Sequence, residues 1–164
     1  MPTTLTVLAT VADPHADGLR VDVVTGTGFG MTFDTAGAGE DRTGPSPTES
    51  VLAALAGCTS MDVGAILRKK RQPADSYQIA VTGVKADEHP QVYTSIVVEH
   101  RVAGAVEPEA LRRAVELSAT TYCPVSAMLS HSVRMEHRYR LRQGDREEVS
   151  ALVAITGPEG AQVL

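Results

Sequence analysis

Hydrophobic and polar positions alternate with a period near two over residues 3–12 (TTLTVLATVA) and 18–25 (GLRVDVVT), which predicts two strands joined by a polar turn at Asp13-Pro14-His15. A third strand is expected at 28–34 (GFGMTFD), followed by a loop rich in Gly, Pro and Ser. The pattern then changes. From Pro47 to Lys70 there is no further proline, Ser46 stands at an N-cap position, and Glu49 follows three residues later at capping-box spacing. The run SVLAALAGCTSMDVGAIL is apolar around most of a helical circumference, which predicts a helix buried in the middle of the domain. Arg68, Lys69, Lys70 and Arg71 close it at the negative end of its dipole, and Pro73 stops it.

Alternation returns at 76–86 and 92–103, two long strands flanking a turn at His89-Pro90. Glu107-Pro108-Glu109 opens a second helix through about Thr120, and Cys123-Pro124 opens a short third one, PVSAMLSHS. Residues 133–142 alternate as a closing strand. Residues 143–164 show no strong pattern and are expected to form a loosely attached tail beside a single domain spanning 1–142. Strands around one long apolar helix make an α+β class.

Composition narrows the function. The chain has 164 residues, 43% hydrophobic and 21% charged, as an ordinary globular domain does. With no Trp, 2 Phe and 4 Tyr it offers little aromatic surface for stacking bases or sugars. A net charge of −5 argues against a nucleic-acid partner, so the RKKR run reads as a helix terminus rather than a phosphate-binding patch. Uninterrupted apolar runs fall short of a bilayer span, and residues 1–10 lack a basic n-region, so the expected setting is cytoplasmic, away from the membrane.

Chemistry then concentrates on two cysteines. In a reducing compartment a structural disulfide is not expected, so Cys58 and Cys123 are either inert core thiols or redox-active ones. Cys58 sits at mid-helix among small residues, Ala53, Ala54, Ala56, Gly57 and Gly64, which allow close approach of a partner helix and point to a symmetric dimer contact. Cys123 precedes Pro124 at an N-cap, where exposed N–H groups and the dipole favour the thiolate. Asp62, one turn after Cys58, disfavours a Cys58 thiolate unless a cation neutralises it; Arg20, Arg42 and Arg101 are the candidates. The five histidines show no metal-ligand spacing, TGTGFG at 25–30 lacks a strand–helix context, and Ser60 and Ser126 lie in no nucleophile elbow. A thiol hydrolase using Cys58 with His100 or His137 stays open.

The segments GPSPTESVLAALAGCTSMDV (44–63) and LSATTYCPVSAML (117–129) together resemble the OsmC family, which includes the organic hydroperoxide resistance proteins. Pro47 and Cys58 keep that family's interval of eleven, and Cys123-Pro124-Val125 follows 65 residues after Cys58. The resemblance implies an OsmC-like fold, with antiparallel sheets around the long cysteine-bearing helix in an intertwined homodimer. It also implies a hydroperoxide reductase of the oxidative and osmotic stress response. Cys58 would be oxidised to a sulfenic acid and Cys123 would resolve it to a disulfide. An external dithiol, lipoyl-linked or small, would reduce the disulfide, with no cofactor. The chain departs from the pattern at the activating pair: Thr48 follows the helix-opening proline, the acid stands one residue later at Glu49, and the arginine is Arg42 or, as a second candidate, Arg20. That departure keeps a second function in view, a non-peroxidase dimer binding a small apolar or thiol-reactive ligand.

Overall fold

The computed structural model describes residues 3–36 and 41–164, so part of the loop before the long helix lies outside the described residues. The chain divides into two compact units, one through Val51 and the other from Leu52 onward. The first holds a three-stranded antiparallel sheet of β1 (Val7–Val11), β2 (Arg20–Thr25) and β3 (Gly30–Asp34), in that order. Asp34 closes the sheet onto the following loop. Its carboxylate accepts hydrogen bonds from the Ala36 and Thr43 amides and from the Thr43 hydroxyl, which hold its pKa down to about 2.

The long helix α1 (Pro47–Lys69) begins as its sequence dictates. The Ser46 hydroxyl accepts from the Glu49 amide at 3.3 Å, and the Glu49 carboxylate accepts from the Ser46 amide at 2.7 Å. Two otherwise unpaired helix-terminal donors are thereby satisfied. Glu49 thus serves as the capping-box acid, with Arg42 4.0 Å away.

In the second unit, β4 (Ala74–Lys85), β5 (Tyr93–Gly104), β6 (Arg134–Arg142), β7 (Val149–Gly157) and β8 (Gly160–Val163) form one sheet in chain order. Two features depart from the sequence reading. The β5–β6 pair is parallel, so the sheet is mixed rather than wholly antiparallel. Parallel neighbours require a crossover, here α2 (Pro108–Leu117), a π-helical turn at Ser118–Tyr122 and α3 (Pro124–Ser130). Residues 143–164, expected as a loosely attached tail, instead supply β7 and β8. Val153 and Ala154 of β7 are fully buried, and β7 runs antiparallel beside β6.

α1 is not buried on all sides. One stripe, Leu55, Thr59, Val63 and Leu67, is buried. Met61, on the opposite side, is 77% exposed, and Ala54, Gly57 and Ala65 are exposed with it. The core beneath the stripe lies in two clusters. Leu55 packs with Ile96, Val98, Cys123, Val133 and Met135. Val63 and Leu67 pack with Val102, Leu111, Val115, Tyr139, Leu141 and Val153. Each such side chain contributes about 2 kcal/mol by burial. By length and composition alone α1 is also apolar enough to cross a bilayer, with a mean hydropathy of 1.6. Uninterrupted apolar runs miss this because Thr59, Ser60 and Asp62 interrupt them.

The opposite, outer face of the sheet carries charge. Glu99, 4% exposed, meets Arg101 at 2.8 Å and both Arg138 and Arg140 at 3.1 Å. Burial works against its ionisation, but the Arg101 and Arg140 hydrogen bonds and the Arg140 and Arg138 charges prevail and hold its pKa below the ordinary value.

Candidate functional site

Between the two apolar clusters runs a polar layer. α1 contributes Cys58, Thr59 and Asp62, three residues that helical spacing places on adjoining faces. The crossover supplies the rest. In the π-helical turn the Cys123 amide donates to the Ser118 carbonyl at 3.1 Å, a bond spanning five residues. Such turns insert a residue into a helix and recur at functional sites. Here the turn ends α2, extends the backbone at Cys123 and lets Pro124 start α3. Cys123 becomes the N-cap, its sulfur accepting from the Ser126 amide at 3.3 Å.

The Cys58 sulfur, the Cys123 sulfur and an Asp62 carboxylate oxygen lie within 4.8 Å of one another. The two cysteines, 65 residues apart in sequence, are therefore neighbours, and both are reduced. Their environments differ. Cys58 is half-buried and Cys123 is 2% exposed. The Asp62 carboxylate accepts a hydrogen bond from Ser118 Oγ at 3.1 Å, and Ser118 Oγ also bonds Thr59 Oγ1 at 2.8 Å. Ser118 was not singled out by sequence reasoning, although it stands in the LSATTYCP segment.

The N-cap position of Cys123 was expected to lower its pKa. The outcome is the reverse. Burial pushes the thiol up to about 12, helped by the hydrogen bond with Cys58 and the charges of Cys58 and Asp62, against the smaller lowering effect of the Ser126 amide. A single amide donor is too little to offset desolvation of a thiolate.

The arginines named as candidates for Asp62 have other partners. Arg20 pairs with Asp22 at 3.1 Å, Arg101 with Glu99, and Arg42 with Glu49. Among the described residues no ion pair involves Asp62.

Two histidines complete the layer from the sheet side. His100 and His137 share the inward parity of Val98 and Val102 and of Met135 and Tyr139. His100 Nδ1 bonds the Tyr77 hydroxyl at 2.6 Å, and His137 Nε2 bonds Thr156 Oγ1 at 3.0 Å. Their other ring nitrogens are buried without a hydrogen-bond partner among the described residues. Burial, with the His137 charge a lesser cause, depresses His100 to about 3; burial alone depresses His137 to about 4. Both rings are neutral at pH 7, and their paired atoms engage Tyr77 and Thr156 rather than a thiol.

Comparison with known proteins now bears on this arrangement. A family model described as OsmC-like protein matches residues 38–138, well over half the chain and including both cysteines. The chain belongs to the OsmC-like family. Protein YhfA of Escherichia coli is 39% identical over 98 residues, 59% of this chain and 73% of its own length. A hypothetical protein from Aquifex aeolicus superposes with a TM-score of 0.71 at 27% identity, covering 88% of this chain and all of that one. An organic hydroperoxide resistance protein from Legionella pneumophila gives a TM-score of 0.56 at 14% identity, covering 87% and 97%; at that identity the likeness is one of fold. The OsmC-like α+β fold implied by the two cysteine motifs is thus the observed one.

Proposed function

We propose that the protein is a thiol-dependent hydroperoxide reductase working in the cytoplasm, where reducing conditions keep its thiols available. The juxtaposition of Cys58 and Cys123 carries this reading: a half-buried cysteine and a buried one whose sulfurs lie within 4.8 Å, close enough for local movement to join them. Membership of the OsmC-like family, whose fold an organic hydroperoxide resistance protein of Legionella pneumophila shares, motivates the substrate class.

The chemistry balances on these atoms. Cys58 sulfur takes the terminal peroxide oxygen, the O–O bond breaks, and an alcohol leaves as Cys58 becomes a sulfenic acid. Cys123 sulfur then attacks Cys58 sulfur, and the sulfenic hydroxyl departs as water with the proton that burial keeps on Cys123. An external dithiol, small or lipoyl-borne, restores both thiols and is itself oxidised to a disulfide. Glu49 and Arg42 serve this reading by securing the start of the helix that carries Cys58.

Reduced protein given cumene hydroperoxide and excess dithiol should consume peroxide catalytically, monitored as peroxide loss. Absence of turnover would leave the second reading, a dimer binding a small apolar or thiol-reactive ligand. Asp62 beside the thiols favours that alternative, because a carboxylate opposes the thiolate that attack requires.

The protein acts as a homodimer in this proposal, with the outer face of α1 as the contact. Ala54, Gly57, Met61 and Ala65 form an exposed stripe at helical spacing, and a Cβ built on Gly57 meets nothing within 4 Å. A second copy of the helix would account for that space. In sedimentation experiments the protein should be a dimer and Gly57→Leu should weaken it at least about tenfold, since a few misplaced methylenes cost over 1 kcal/mol at a close-packed contact. A monomeric parent protein, or an unaffected variant, would remove this face from consideration.

A further inference from the structure

We infer that Cys58, Cys123 and Asp62 form a binding site for a thiophilic divalent cation, zinc in the first instance. The inference uses the same side chains as the peroxide chemistry but does not depend on it.

Three observations point to a cation. First, the donors converge. Cys58 and Asp62, one turn apart on α1, and Cys123 at the start of α3 bring two sulfurs and an oxygen within 4.8 Å of one another. A tetrahedral zinc with Zn–S bonds of about 2.3 Å sets its sulfurs roughly 3.8 Å apart, inside that limit.

Second, the charge arrangement fits a metal better than a bare nucleophile. A carboxylate beside two thiols opposes their ionisation, and among the described residues no ion pair involves Asp62. A divalent ion reverses the effect: it deprotonates the coordinating thiols, whose protons pass to solvent, and leaves Asp62 paired. Two sulfurs with one carboxylate suit zinc rather than magnesium or calcium, which prefer all-oxygen sets.

Third, the surrounding groups already hold the donors in place. Ser118 Oγ fixes Asp62 Oδ2 and is itself bonded to Thr59, so the carboxylate is anchored and keeps acceptor capacity for a metal. The Ser126 amide donates to the Cys123 sulfur. Ser126, in the same turn, is 1% exposed, and its buried Oγ has no hydrogen-bond partner among the described residues. Metal sites commonly use such outer donors to orient their ligands. The half-exposed side of Cys58 leaves a fourth position for water or another small ligand, so the site is open rather than closed. An occupied site would mask both thiols from oxidants.

The test uses the full-length reduced protein, anaerobically, without peroxide. Cobalt(II) is the probe, because its thiolate complexes show near-ultraviolet charge-transfer bands and intense visible bands when tetrahedral. The expected result is one cobalt per chain with both features, displaced by zinc. Cys58→Ser and Cys123→Ser should each lose at least about half of the charge-transfer intensity, and Asp62→Ala should bind at least about tenfold more weakly. On the unmutated protein an aromatic disulfide should release two aromatic thiols per chain, one when Cys58 attacks it and one when Cys123 displaces the mixed disulfide; zinc should lower that release to none, and a chelator should restore it. Absence of the charge-transfer band, unchanged affinity in Asp62→Ala, or thiols equally reactive with and without zinc would each overturn the site. Peroxide turnover of the chelated protein is a separate measurement, so failure of the metal site and failure of the peroxidase reading give different results.

Discussion

Between pH 7 and pH 4 the protein is expected to lose on the order of 6 kcal/mol of stability through two side chains, His100 and His137. Their folded-state pKa values are depressed to about 3 and about 4 by burial. In the unfolded chain a histidine titrates near 6.5. Below that value the unfolded state takes up protons that the native state refuses, so stability falls as pH drops, from about 6.5 until each folded pKa is passed. pH 4 lies about 2.5 units below the unfolded pKa of each ring, roughly 3 kcal/mol apiece. That sum is comparable with the whole stability of a typical domain. Urea unfolding at pH 7, 5.5 and 4.5 measures it: the midpoint should decline steadily across the series. The window separates histidines from carboxylates. Asp34, at about 2, and Glu99, also lowered, contribute stability that is present above an unfolded pKa near 4 and lost only below it. His137→Gln should keep a donor near Thr156 while removing about half of the decline above pH 4.5. Stability flat between pH 6.5 and 4.5 would mean that the rings acquire partners or water on protonation.

Replacing the cysteines one at a time should divide the proposed reaction into its halves. Cys58→Ser is expected to reduce hydroperoxide turnover to background, because a serine hydroxyl cannot accept the peroxide oxygen as a sulfenic acid. Cys123→Ser should still react once. One equivalent of peroxide is consumed per chain, the Cys58 sulfenic acid persists and is trapped by dimedone, and no disulfide appears in the mass spectrum. The burial difference makes the proposed assignment directional: the half-buried Cys58 is the one to meet substrate, and Cys123, 2% exposed, the one to meet its neighbour. Removing the buried thiol also leaves its Ser126 amide donor beside a shorter side chain, so thermal stability should be recorded in parallel. If Cys58→Ser retained turnover while Cys123→Ser lost it, the roles would be exchanged. If both retained it, the thiols would be bystanders.

How much of this was legible beforehand varies element by element. The start of α1 was written in Ser46, Pro47 and Glu49, and the capping box formed as their spacing requires. The proximity of Cys58 and Cys123 came only through resemblance, since nothing in a 65-residue interval brings two positions together. The high Cys123 pKa was hidden because an N-cap is a local property and burial is a global one. α1 misled in another way. Its all-round apolar surface suggested burial on every side, whereas a single chain covers only the stripe through Leu55 and Leu67. β7 was missed because pairing with β6 shifts register between His137 and Arg138, which blurs the alternation of VSALVAITG. The Gly157-Pro158-Glu159-Gly160 turn before β8 was the available signal. His100 and His137 stood in plain alternation with core residues, yet polar type concealed their inward parity.

The parallel pairing of β5 with β6 ties the cysteine pair to the route by which the chain folds. A hairpin such as β4–β5 can zip from its own turn, but β6 cannot align until the whole crossover has been laid across the sheet. Cys123 rides on that crossover, and its sulfur belongs to the core cluster that β6 completes through Met135. Closing the sheet and bringing the two sulfurs together are therefore one event. A nascent chain released before β6 has docked would hold its thiols apart, so their meeting records that assembly of this unit is finished.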